Sequence, residues 1–276
     1  MKVIRDYQFL ENSDKGASVA IGNFDGVHIG HQSVIDIARN KAIELRVPLG
    51  VLTFEPHPRS YFTPDASPFR LMSAEARETR LFKIGIDILY ELNFNSSLSS
   101  LTPREFAQNV ICNGLGLTNV AVGADFCFGR DRAGTVQDLL RFGEQMGFGV
   151  NIAPLVEVGL GEISSTSIRN ALSEGRPRNA ADQLGHWHRI EGPVIGGEQR
   201  GRELGYPTAN MSMEGLHLPK FGVYAVLVDV QDGQFKETYQ GAASLGVRPM
   251  FGKNTPNLET FIFDFSGDLY GVHLSI

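Results

Sequence analysis

Several classes of protein are excluded by what this chain lacks. Its 276 residues include only two cysteines, Cys112 and Cys127, which form no Cys-X-X-Cys pair and match no zinc spacing. Each reads as a small buried hydrophobe in a reducing compartment. No run of 18 apolar residues exists, so no membrane-spanning helix is expected. The first twenty residues carry six charges and no continuous apolar core, so they do not read as a secretory signal. Positive charge is also short, with 25 Lys and Arg against 31 Asp and Glu and a net charge of −6, which argues against a general nucleic-acid binder. There is no internal repeat and no low-complexity segment. The expected location is the cytoplasm. What remains is a globular composition, 42% hydrophobic and 20% charged, long enough for one large domain or two ordinary ones.

The informative stretch is residues 19–35. An apolar run at 17–22 ends in Gly22-Asn23-Phe24-Asp25-Gly26-Val27-His28-Ile29-Gly30-His31, and a helical pattern over 32–46 follows. Val34, Ile37, Ala38, Ala42 and Leu45 define its apolar face, broken only by Lys41, and Pro48 lies beyond its end. A second apolar run at 49–54 completes a β-α-β unit with parallel strands and a right-handed crossover. A strand, a tight turn and a helix N-terminus make an anion site, because unpaired N–H groups and the positive end of the helix dipole face the ligand. Gly22, Gly26 and Gly30 allow close approach or positive φ. His28 and His31 share one face at the helix head and can donate to one phosphate; alone, the same pair would also read as two surface histidines.

Strands are expected at 84–92, 119–123 and 149–156. Helices are expected at 103–113, capped by Thr102 with Glu105 behind it, and at 136–146. This alternation predicts an open, doubly wound α/β sheet to about residue 160, with ligands beyond the carboxyl ends of its strands. A further capped helix is expected at 164–173. From His186 the pattern changes to short, glycine-punctuated alternating segments. Residues 221–230 and 235–245 flank an Asp232-Gly233 turn, and 260–265 and 269–276 flank Ser266-Gly267, which predicts an antiparallel barrel or sandwich. The expected domains are 1–184 and 185–276, the second ending at Ile276 in a strand and reading as incomplete.

Other constellations carry chemistry. Thr53-Phe54-Glu55-Pro56-His57-Pro58-Arg59 reads as a stiff loop after the second strand, a wall of the site. The loop at 122–134 places Asp125 between aromatics, with Phe126 and Phe128 reading as core. In Ile163-Ser164-Ser165-Thr166-Ser167-Ile168-Arg169, hydroxyls open a helix and an arginine follows one turn later. That is an ordinary N-cap, worth about 1 kcal/mol, or a grip on a triphosphate with bidentate arginine geometry. In Gly201-Arg202-Glu203-Leu204-Gly205-Tyr206-Pro207-Thr208-Ala209-Asn210, Thr208 and Asn210 fall on one face of an extended segment, where two neutral oxygens suit a hard cation.

These strings together resemble the bacterial bifunctional riboflavin kinase/FMN adenylyltransferases, or FAD synthetases. The 22–31 string resembles the His-X-Gly-His signature of nucleotidylyltransferases and 163–169 their Ile-Ser-Ser-Thr-X-Ile-Arg signature. The 201–210 string resembles the riboflavin-kinase motif. The resemblance implies a nucleotidylyltransferase-like Rossmann fold followed by a riboflavin-kinase barrel. It implies phosphorylation of riboflavin to FMN and adenylylation of FMN to FAD with release of pyrophosphate. ATP and Mg²⁺ are implied, with riboflavin and FMN as substrates, no nucleic-acid or membrane partner, and a monomer or weak homo-oligomer. On this resemblance the candidate catalytic residues are His28, His31, Arg169 and Glu259. The adenylyltransferase ATP site takes Gly22, Asn23, Phe24, Asp25, Gly26, Ser165 and Thr166 as well as those two histidines and Arg169, and its flavin site takes Pro56, His57, Pro58 and Asp125. The kinase site takes Gly196, Arg200, Gly201, Pro207 and Arg248, with Thr208 and Asn210 on the metal and Glu259 as base. Ser244, Met250 and Phe261 depart from the kinase pattern, where Asn, Thr and His are usual, and a final strand and helix are expected beyond Ile276. An adenylyltransferase with a silent kinase half and a flavin-binding protein without chemistry are the other readings.

Overall fold

The computed structural model describes residues 1–158, 161–196, 207–247 and 256–276. The chain divides into two compact units, Met1–Ala66 with Arg77–Ser164, and Ser67–Ala76 with Ser165–Ile276.

In the first unit, strands β1 (Lys2–Ile4), β2 (Ser18–Ile21), β3 (Leu49–Glu55), β4 (Ile88–Asn93), β5 (Asn119–Gly123) and β6 (Gly149–Ala153) form one sheet in the order β1-β4-β3-β2-β5-β6. Every neighbouring pair is parallel. Central β2 is buried along its whole length, as a strand covered on both faces must be. From β2 the sheet grows through β3 and β4 on one side and β5 and β6 on the other. The carboxyl ends of β2 and β5 therefore flank the switch point, where ligands bind in sheets of this kind.

Helix α1 (Ile29–Leu45) follows β2 and ends at Arg46 in the left-handed conformation, φ 57°. It starts three residues earlier than the periodicity suggests, because His28 caps it. Its buried face is Val34, Ile35, Ala38 and Ala42, whereas Leu45, on the same side but the last residue of the helix, is 45% exposed. Three of the expected strands are shorter, beginning at Ile88 and ending at Ala153 and Ile21. The remaining helices of this unit are α2 (Pro58–Phe62), α3 (Ala74–Lys83, whose first three residues belong to the second unit), α4 (Ser96–Ser99), α5 (Pro103–Glu105) and α6 (Val136–Met146). Capping boxes at Thr102/Glu105 and Thr135/Asp138 open α5 and α6, and α5 continues as a π-helix over Phe106–Gly114. A short hairpin of β7 (Glu157–Val158) and β8 (Gly161–Glu162) follows.

The second unit holds α7 (Ser165–Ser173), α8 (Pro177–Leu184) and strands β9 (Glu191–Pro193), β10 (Thr208–Ser212), β11 (Gly222–Val230), β12 (Thr238–Val247), β13 (Pro256–Ile262) and β14 (His273–Ser275). The strands run β10-β13-β12-β11-β14-β9, all antiparallel. Ile195 donates to the Asn210 carbonyl at 2.8 Å, joining the chain after β9 to β10 and nearly closing a barrel. The core lies inside, with Met211, Val228, Ala243, Leu258 and Leu274 at its centre. The Asp232-Gly233 turn joins β11 and β12, which pair from Gly222↔Leu245 to Asp229↔Thr238. The hairpin expected around Ser266-Gly267 does not form. There β13 pairs with β10 and β12, and β14 with β11 and β9, because the barrel places the last strand between β11 and β9 rather than beside β13.

Candidate active sites

The 22–28 turn at the carboxyl end of β2 is buried and conformationally unusual. Phe24 and Val27 adopt φ of 51° and 44°, and Gly26 of 86°. A β-branched residue at positive φ is strained, and such strain persists only where surrounding contacts over-determine the backbone. Here Phe24, Asp25, Val27 and His28 are all buried. His28 Nδ1 accepts the His31 N–H at 3.2 Å, capping α1 and leaving the proton of the neutral ring on Nε2. The His28 and His31 rings stack at 3.6 Å, 18° from parallel. Burial, and then the adjacent His28, hold His31 well below the ordinary imidazole range, so it is neutral at pH 7. His31 Nδ1 is buried and makes no hydrogen bond among the described residues. A Cβ on Gly30 would meet the His28 ring at 3.2 Å, so glycine there lets the imidazole lie against the helix head.

Beneath the turn lies a buried ion-pair network absent from the sequence reading. Arg77, from α3, has no exposed surface. Its Nη2 reaches Glu55 at 3.0 Å and Glu91 at 2.9 Å, and its Nη1 donates to the Asn23 carbonyl at 3.3 Å. Thr53 Oγ1 donates to the same carbonyl at 3.2 Å. The strand ends and the turn are thus clamped from below. This network does not show in the sequence, since Arg77 sits in a polar helix and its partners lie on other elements.

Past β3, Pro58 opens α2 rather than continuing a loop, and His57 caps it by accepting the Arg59 N–H at 3.1 Å. His57 is buried and Pro56 exposed, and the Glu55–Pro56 peptide is cis. Asp125, two residues past β5, is exposed, while Phe128 joins the core and Phe126 stacks on it at 5.6 Å. Tyr61, Phe62 and Phe94 form a mutually edge-on cluster, with centroids 5.2 to 5.7 Å apart, that periodicity did not reveal.

In the second unit, Arg169 Nη2 donates to Thr166 Oγ1 at 3.1 Å and Nη1 to the Phe69 carbonyl at 3.3 Å. Its guanidinium carbon also lies 5.7 Å above the Phe69 ring. Ser165 opens the same helix. In the barrel, register places Asn210 beside Glu259 and Glu259 beside Ser244, so three strands line these residues up in one row. Thr208 pairs with Phe261 in the next row on that face. Asn257 Nδ2 donates to Asn210 Oδ1 at 2.9 Å, fixing the amide with its oxygen toward that side. Thr208 and Asn210 carry neutral oxygens, the donor type that suits Mg²⁺. Gly196 is exposed, after β9, and Pro207 is exposed just before β10; Arg200, Gly201, Arg248 and Met250 lie outside the described residues. A cavity of about 470 Å³ is lined by Leu172, Trp187, Tyr224, Val226, Leu258 and Ile276 among others, and among the described residues its lining includes none of those expected in the kinase site.

The FAD synthetase family model matches residues 10–167 and the riboflavin kinase model residues 184–276. The chain belongs to the bifunctional riboflavin kinase/FMN adenylyltransferase family. A member from Pseudomonas fluorescens is 41% identical over all of this chain and 88% of its own. One from Haemophilus influenzae is 36% identical over 98% of this chain and 87% of its own, and one from Escherichia coli K12 is 33% identical over 100% and 88%. A crystal structure described as a macrolide-efflux protein from Streptococcus pneumoniae matches with a TM-score of 0.84 and 32% identity, covering 100% of this chain and 89% of that one. Among the described residues, no helix is long and apolar enough to cross a membrane. Both modules of the bifunctional riboflavin kinase/FMN adenylyltransferases are thus present: the parallel α/β sheet, and the nearly closed six-stranded barrel.

Proposed function

We propose that the chain phosphorylates riboflavin to FMN and adenylylates FMN to FAD in the cytoplasm, where ATP is the shared co-substrate, with residues 1–184 and 185–276 as the two functional modules. The stacked His28–His31 pair at the head of α1, at the sheet's switch point, carries the reading. In adenylyl transfer, an FMN phosphate oxygen attacks the α-phosphorus of ATP; the new P–O bond forms as the α–β bridging bond breaks, and pyrophosphate leaves. No protein nucleophile is needed, so positioning and charge neutralisation do the catalysis. His28 donates from Nε2 to the ATP phosphates. Neutral His31 donates there too, beside the N–H groups of the first helical turn. The turn from Gly22 to Gly26 cradles the nucleotide, and Ser165, Thr166 and Arg169 grip its phosphates, with bidentate geometry suited to the arginine. Pro56, His57, Pro58 and Asp125 line the flavin side.

In the barrel, Glu259 takes the proton of the ribityl 5′-hydroxyl as that oxygen attacks the γ-phosphorus of a second ATP, and the β–γ bridging P–O bond breaks as ADP leaves. Thr208 and Asn210 hold Mg²⁺, and Gly196, Arg200, Gly201, Pro207 and Arg248 surround the nucleotide and flavin. When bound, Mg²⁺ neutralises charge developing on the phosphoryl oxygens. The protein acts as a monomer or weak homo-oligomer on small molecules, without nucleic-acid or membrane partners.

The test is a chromatographic time course with ATP and Mg²⁺, starting in parallel from riboflavin and from FMN. Riboflavin should become FMN and then FAD. His28→Ala should abolish FAD formation and retain FMN formation. FAD from FMN with riboflavin untouched would reduce the function to adenylyl transfer. Loss of both activities in a folded His28→Ala protein would refute the division of labour.

A further inference from the structure

We propose that His217, in the riboflavin-kinase part of the sequence, is a positioning residue for Arg169, so that the kinase module sets the ATP grip used in adenylyl transfer. The inference rests on the reading of Arg169 as a phosphate-gripping residue. Besides its bond to Thr166 on its own helix, Arg169 takes support from outside that helix. Its guanidinium is held by the Phe69 carbonyl and lies over the Phe69 ring. Phe69 belongs to the segment Ser67–Ala76, which packs with the second unit. That segment is itself fastened by residues 216–217: Arg70 and Leu216 form a parallel bridge, and His217 donates its N–H to the Arg70 carbonyl at 2.8 Å.

The His217 side chain closes the circuit. Its Nε2 lies 3.0 Å from the Arg169 carbonyl and 3.0 Å from Ser173 Oγ, so the Nε2–H donates to α7 where Arg169 departs from it. Lys220 adds a backbone bond, donating to the Leu172 carbonyl at 2.9 Å. One residue therefore fixes both the backbone of Arg169, through its ring, and the platform beneath the guanidinium, through its own N–H. The sequence interval between the two residues spans the start of the kinase module, so the support crosses from one activity's sequence to the other's.

The readout is a KM-against-kcat split in the full-length protein. His217→Leu should raise the KM for ATP in adenylyl transfer about tenfold while leaving riboflavin phosphorylation within about twofold, because small displacements of a phosphate grip cost on this scale. His217→Gln, whose Nε2 occupies nearly the same place and can still donate, should restore the KM. A common loss in both variants, accompanied by lower kinase activity or a lowered melting temperature, would show a merely structural role and overturn the proposal. Wild-type KM in His217→Leu would also overturn it. Arg169→Ala separates the two ideas: if it keeps wild-type adenylyl transfer, the phosphate-grip reading fails and this inference falls with it, whereas a large loss there with an unaffected His217→Leu defeats this inference alone.

Discussion

Arg77→Met removes the cation from a site that water does not reach. The arginine has no exposed surface and bridges Glu55 and Glu91 at 3.0 and 2.9 Å while holding the Asn23 carbonyl. Methionine fills similar volume but leaves Glu91, itself 4% exposed, with Arg5 as its remaining recorded ion pair, at 3.2 Å. Removing one partner of a buried pair costs about 3–5 kcal/mol, because the other charge stays buried without compensation. The Arg5 contact and the partial exposure of Glu55 put the expectation at the low end, about 3 kcal/mol. That is a large share of the roughly 5–15 kcal/mol that holds a domain folded. Urea denaturation followed by circular dichroism gives the difference from the shift in midpoint at constant slope. Adding Glu91→Gln to the variant should recover about 1–2 kcal/mol, since contacting residues are not additive. A loss under about 1 kcal/mol for Arg77→Met, or no recovery in the double variant, would refute the claim that the substitution strands a buried carboxylate charge.

Two further perturbations test the site and its surroundings. Gly30→Ala puts a Cβ 3.2 Å from the His28 ring and should cut FAD formation about tenfold, because displacements well under 1 Å at a positioned group are costly, while folding is unchanged or slightly improved by alanine's helix preference; a wild-type rate would show that His28 need not sit there. Burial lowers His188 to about 4 from the 6.5 of a free imidazole, partly opposed by its bond to the Leu71 carbonyl. The unfolded chain therefore binds the proton first, so stability is full above about pH 6.5 and falls by up to roughly 3 kcal/mol toward pH 4. His188→Gln should flatten that slope when urea midpoints are compared at pH 7.5 and 5, and an unchanged slope would assign the loss elsewhere.

Much of this organisation was legible because it is local. The strand, turn and helix of 18–45, the Thr102/Glu105 capping box and the change to glycine-punctuated strands after His186 all follow from short-range residue order. That His28 and His31 share one face at a helix head required only spacing and a helix start; their stacking came from the structure. Long-range pairings were not legible. Arg77 looks like any solvent-facing arginine of a charged helix until β3 and β4 bring Glu55 and Glu91 to it. The last hairpin was misread because a Ser-Gly turn signal says where the chain bends and not which strand it then joins; closing the barrel decided that. Likewise Ile35, not Leu45, is buried in α1, since the sheet beneath selects which turns of the helix it covers.

The placement of Ser67–Ala76 among residues that follow Ser165 also orders events during synthesis. Phe69, Leu71 and Met72 are buried in the finished fold, Leu71 against Ile168, Ala171, Leu172, Ala180 and Leu184. On the ribosome those three side chains emerge long before α7, α8 and the 216–220 segment that cover them, an interval on the order of ten seconds at ordinary elongation rates. For that time the nascent chain carries an apolar segment with nowhere to go, and the loop it must close is long, which costs little more entropy than a short one but delays the closing contact. A chaperone that holds apolar segments would find its binding site there, on the growing chain, and lose it when α7 and α8 pack over Leu71.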